Sequence, residues 1–161
     1  MNSDNYRGGF RELEAWKQAR VFRQEIIEDC KCFPKEEKFL LTAQLKDYSR
    51  SVTANMAEGY GGYNYQETMQ FFRQSRGSLN ESLDHLCTAL DEGYIASETF
   101  SQREIQYEKV LKLINGYISF LQKSKQAVKE TKAATSLPNI SLPNTTLPNT
   151  TLSNTSLSNT L

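Results

Sequence analysis

Between positions 10 and 132 the apolar residues recur every three or four places, in four runs separated by three breaks. A period near 3.6 gathers such residues into one stripe along a helix. The two-residue alternation of a half-buried strand is missing from all four runs. A helix with one apolar stripe has to cover it against a neighbour. Short links between helices favour antiparallel neighbours, so the economical fold is all-α, an up-down-up-down four-helix bundle.

The first run is Leu13, Trp16, Ala19, Phe22, Ile26 and Cys30. Phe33-Pro34 ends it, because the residue before a proline resists helical geometry. Pro34 is suited to open the second helix, with Glu36 and Glu37 in the first turn, where the helix dipole favours acids. Leu41, Leu45, Tyr48, Val52 and Met56 carry the second stripe until Gly59, Gly61 and Gly62 break it. Asn64-Tyr65-Gln66-Glu67 has the form of a capping box and restarts the pattern. The third stripe is Phe72, Arg76, Leu79, Leu83, Leu86 and Leu90. Beside it run Ser75, Ser78, Ser82 and Ala89, small enough to let another helix come close. Gly93 suits a C-terminal cap. Ser101 with Glu104, or else Ser97, is placed to cap the fourth helix, whose stripe is Tyr107, Leu111, Ile114, Ile118 and Leu121.

Composition divides the chain into three parts: residues 1–9 as a flexible N-terminus, 10–132 as the bundle and 133–161 as a low-complexity tail. From Ser136 onward a degenerate five-residue repeat (SLPNI, SLPNT, TLPNT, TLSNT, SLSNT) runs without charge or aromatic residue. Pro138, Pro143 and Pro148 disfavour helix. A pentapeptide β-helix needs several stacked turns, and five repeats supply little more than one. The composition predicts a disordered tail.

Nineteen Lys and Arg balance nineteen Asp and Glu, so no global charge draws the protein to nucleic acid or to anionic lipid. Three cysteines without a secretory leader suit a reducing, cytoplasmic setting. No run approaches the roughly 18 apolar residues of a membrane span.

Four groups of residues invite a chemical reading. Gln44, Tyr48, Ser51, Asn55 and Glu58 share one seam of the second helix, either as a polar groove or subunit contact, or as an internal network fixing register. Glu58, beside helix-ending Gly59, opposes the dipole and calls for a partner. Cys30, Cys32, His85 and Cys87 are four potential zinc ligands at poor spacing, since helical residues two apart diverge. Gly59-Tyr60-Gly61-Gly62-Tyr63-Asn64 follows a helix rather than a strand and reads as a turn, whose tyrosines are able to stack on bases or pack on the bundle end. Lys109, Lys112, Lys123, Lys125, Lys129 and Lys132 face only Glu130 among acids from position 109 onward. That excess is either a solvated helix terminus or a phosphate-facing end, which Arg73 and Arg76 of the third helix would extend. No nucleophile–base pair, metal set or phosphate loop is present, so the expectation is a protein that is no enzyme and has no catalytic, cofactor or metal site.

Several motifs occur together and in order. Phe10-Arg11-Glu12-Leu13-Glu14-Ala15-Trp16 opens the first helix, and Phe33-Pro34-Lys35-Glu36-Glu37 joins the first pair. Leu41-Thr42-Ala43-Gln44-Leu45 follows, then Ser51 to Gly61, Gly77-Ser78-Leu79-Asn80-Glu81, and Leu90-Asp91-Glu92-Gly93-Tyr94-Ile95. In this the chain resembles the rRNA intervening-sequence protein family over about residues 10–125. The resemblance implies a small bacterial four-helix bundle. It also implies kinship with the accessory protein of diversity-generating retroelements, and hence a homopentamer engaging RNA and a reverse transcriptase. Three positions depart from the family pattern: Thr53 stands where proline is common, and Asp47 and Tyr48 stand where basic residues are common.

Overall fold

The computed structural model describes residues 9–62 and 64–135. The expected flexible N-terminus, apart from Gly9, and the repeat tail from Ser136 lie outside them. Four helices form an antiparallel bundle: α1 (Glu14–Asp29), α2 (Leu41–Tyr60), α3 (Tyr65–Asp91) and α4 (Ser97–Thr135). Each packs on its neighbour in sequence, and α1 closes the ring against α4; α2 and α3 form the most extensive pair. Among the described residues there is no strand.

The core is one cluster drawn from all four stripes. Phe22 and Ile26 of α1, Leu45 and Met56 of α2, Phe72 and Leu79 of α3, and Val110 and Ile114 of α4 are fully buried. Each side chain of this size contributes about 1.5–3 kcal/mol on leaving water. The centre of α3 sits rotated from the expected stripe. Ser75, Ser82 and Ala89 are completely buried, while Arg76, Leu83 and Leu90 lie at the rim. Small residues occupy the centre of the face because the backbone of α2 runs close by. In α4, Val110 lies in the core beside the expected stripe.

One helix start differs from expectation, and another falls at the second of its two candidates. Lys35–Phe39 form a 3-10 turn instead of the first turn of α2, and Leu40 breaks the path with φ −114° and ψ −114°. Glu37 keeps a capping role from outside the helix: its Oε2 accepts from the Leu41 backbone N–H at 3.1 Å. Helix α4 opens at Ser97, with the Phe100 N–H bonded to the Ala96 carbonyl, so Ser101 lies within the helix and caps nothing. The other punctuation is as expected. Asn64 Oδ1 accepts from the Glu67 N–H at 2.9 Å, and Gly93 takes φ +72°, where the Tyr94 N–H reaches back to the Ala89 carbonyl at 2.8 Å. Thr53 leaves α2 unbroken and bonds its hydroxyl to the Arg50 carbonyl.

Candidate nucleic-acid interface

At about 1.5 Å per residue, α4 spans close to 58 Å and α3 about 40 Å. Among the described side chains the last buried one of α4 is Leu121, and the helix runs on to Thr135 past the start of α3. In the angle between them lies an open cleft of ≈ 480 Å³. Gln66, Met69 and Arg73 line it from α3, at spacings of three and four that share one face. Gln122, Lys125, Gln126 and Lys129 line it from α4 by the same rule. Lys125 Nζ donates to Gln66 Oε1 at 2.5 Å and ties the two walls together. Met69, 3% exposed, supplies the floor. Three cations and three amides thus meet around the cleft, and no carboxylate lines it. Such a surface accepts phosphate oxygens through charge and through neutral N–H donors.

Two further cations nominated from the sequence, Arg76 and Lys123, lie elsewhere. Arg76 donates through Nη1 to Asn115 Oδ1 at 2.9 Å, bracing α3 against α4. Lys123 faces a separate hollow of ≈ 290 Å³ shared with Gln122, Gln126, Ala127 and Glu130.

The polar seam of α2 divides into a centre and two ends. Asn55 Nδ2 donates to Ser51 Oγ at 3.1 Å, and Ser51 accepts from Ser78 Oγ of α3 at 3.0 Å. Tyr48 lies against the His85 ring, centroids 5.2 Å apart. Gln44 and Glu58 are exposed. Glu58 finds no side-chain partner among the described residues, and water screens its conflict with the helix end instead. Tyr60 is half-buried and Tyr65 opens α3, while Tyr63 lies outside the described residues.

Cys30 is buried, Cys32 exposed and Cys87 between the two. Burial pushes the Cys30 thiol up to about 11. Among the described residues no three His, Cys, Asp or Glu side chains gather as a metal site requires. No described helix is long and apolar enough to cross a membrane.

Two features escaped the sequence reading, and a third gathers Leu113 and Phe120, apolar positions beside the main stripe of α4. Arg103 of α4 grips Asp29 of α1 with Nε–Oδ2 at 2.6 Å and Nη2–Oδ1 at 2.9 Å, and reaches Glu25 Oε2 at 3.5 Å. Arg20, Arg23 and Arg50 converge on the α1–α2 face. There Arg23 Nη1 donates to Thr53 Oγ1 at 2.8 Å, and burial, then the charges of Arg20 and Arg50, lower its pKa. An apolar groove lined by Leu13, Leu113, Tyr117 and Phe120 opens between α1 and α4, with Phe120 61% exposed. Each element taken alone shows only charges on a polar face or one apolar residue too many. The groupings arise from helix pairing.

Fold and surface together define a small all-helical bundle whose chemistry lies on its surface. The 23S rRNA-intervening sequence protein profile matches residues 11–116, and the chain belongs to that family. It is also similar to the crystal structure of a protein of unknown function from the S23 ribosomal protein family of Bacteroides thetaiotaomicron VPI-5482. The TM-score is 0.60 at 19% identity, over 65% of this chain and 97% of that one, a likeness of fold. No functionally curated protein matches the chain.

Proposed function

We propose that this protein is a non-enzymatic, homo-oligomeric bundle that serves as a structural or RNA-associated accessory protein. The α3–α4 cleft is its phosphate-contacting surface. The observation that carries the reading is the meeting of Arg73, Lys125 and Lys129 around one cleft without a carboxylate, in a chain of zero net charge. A local excess of cations in a neutral protein directs an anion to one place. Membership of an rRNA intervening-sequence family is in keeping with an RNA ligand.

Oligomerisation is supported by the exposed apolar groove at Phe120, which a second copy would cover. The pentamer and the reverse-transcriptase partner come from the family resemblance. Symmetry would repeat each modest cleft around a ring and raise the effective concentration of contacts.

The test is charge reversal. Arg73→Glu, Lys125→Glu and Lys129→Glu together should lower RNA affinity at least about tenfold and reduce the salt slope by about 2–3. The helical circular dichroism should stay intact, because the three residues lie at the surface. Unchanged affinity in that variant would remove the cleft from the function. A monomer mass by light scattering at micromolar concentration would remove the oligomer.

A further inference from the structure

The amino-terminal end of the bundle carries a second surface that the α3–α4 cleft does not use. Phe10, in the 3-10 turn Phe10–Glu12, and Trp16 of α1 meet edge to face, centroids 5.2 Å apart at 70°. Both rings are half-buried, and they line a hollow of ≈ 670 Å³ with Arg11, Lys17 and Arg20. An edge-to-face pair leaves ring faces that are not stacked on one another, and a cation-rimmed aromatic face is a stacking platform for a planar base.

The cations continue past the hollow. Trp16, Arg20 and Arg23 stand at i, i+4 and i+7 on one face of α1, a run of about 10 Å. Arg50 of α2 adjoins its far end, close enough to Arg23 for the two charges to disfavour each other. Lys17 is held by Glu12 at 3.0 Å, and Arg50 lies 3.7 Å from Asp47, both pairs largely in water. Arg23 is anchored by a hydroxyl, not by an acid. The charges of Arg20 and Arg23 are therefore left for an outside anion, on a track longer than one phosphate group.

We infer that the α1–α2 face is a binding site for single-stranded nucleic acid. A base stacks at the Phe10–Trp16 pair, and the following phosphates run along Arg20, Arg23 and Arg50. The aromatic pair selects an unpaired base, because a base inside a duplex has its faces already covered. The site extends the nucleic-acid reading to a second face and shares with it only the class of ligand.

Trp16 is the single tryptophan of the chain, so its emission reports on this site alone. The full chain is titrated with a 12-nucleotide oligouridylate, with uridine monophosphate and with inorganic polyphosphate. Saturable quenching by the oligonucleotide is expected, with far weaker quenching by the mononucleotide and none by polyphosphate. Arg11→Glu with Arg20→Glu, two exposed positions that leave the core untouched, should weaken the quenching titration at least about tenfold. The triple reversal in the α3–α4 cleft should leave it in place, so failure of one site is distinguishable from failure of the other. Four results would each overturn the inference: no quenching by the oligonucleotide, equal quenching by polyphosphate, equal affinity for the mononucleotide, or indifference to the double arginine reversal.

Discussion

The α2–α3 and α1–α4 seams hold the same bundle together by different means. Between α2 and α3 the contact is one of shape. Ser75 Oγ donates to the Val52 carbonyl at 2.7 Å, Ser78 meets Ser51, and a Cβ added at Gly59 would lie 2.7 Å from that of Phe71. Between α1 and α4 it is one of charge and hydrogen bonding. Arg103, at 12% side-chain exposure, forks onto Asp29 at 10%, and Gln106 Nε2 donates to the Gln18 carbonyl at 3.0 Å and to its Oε1 at 3.1 Å. Neighbours in sequence, joined by a four-residue link, need only to fit. The first and last helices have to find each other across the whole domain, and a largely desolvated, part-buried ion pair specifies which faces meet. Such pairs serve specificity better than net stability.

The largest expected effect comes from breaking the charged seam. Arg103→Met leaves Asp29 and Glu25 facing each other without their cation and should cost about 3–5 kcal/mol in chemical denaturation. The Asp29 hydrogen bond, then the charges of both acids, raise the guanidinium pKa against the pull of burial. Full protonation of the arginine therefore holds throughout the working pH range. A loss below about 1 kcal/mol would mean that the carboxylates reach water and the seam is not sealed. Gly59→Ala, on the shape-fitted side, should cost about 1–3 kcal/mol through overpacking against Phe71 and the Thr68 carbonyl, 3.3 Å from the new Cβ. A melting temperature equal to wild type would show that α2 and α3 separate easily.

The same contrast explains what was legible in advance. Ser75, Ser78, Ser82 and Ala89 repeat at helical spacing, so a close-packed face could be read from one helix alone. Asn64 and Gly93 announced their caps because a cap is a local event. Arg103 gave no such signal: an arginine near a helix start, 74 residues from its partner, looks like any solvated charge. Pro34 misled, since it fits both a helix start and the 3-10 turn that formed, and only the break at Leu40 separates the two. Of the eight nominated cations, Arg73, Lys125 and Lys129 meet at one cleft. Arg76 shares the face of Arg73 but sits a turn further along the seam, bonded to Asn115, while helical phase turns Lys123 toward the hollow it shares with Glu130. The arginines of the α1–α2 face come from helices whose apolar stripes were read first, and their grouping depends on how those stripes dock.

The smallest effect on folding and the most direct bearing on function belong to the third seam, between α3 and α4, which is left open at the end where α4 projects. The measurement that decides its role is a titration of the wild-type protein with a structured RNA carrying single-stranded loops, at low and at physiological salt. Engagement of Arg73, Lys125 and Lys129 predicts binding at low salt that weakens with a logarithmic slope of about 2–3 for each chain engaged. An absence of binding even at low salt would contradict the RNA-associated role and leave a bundle that meets only protein partners.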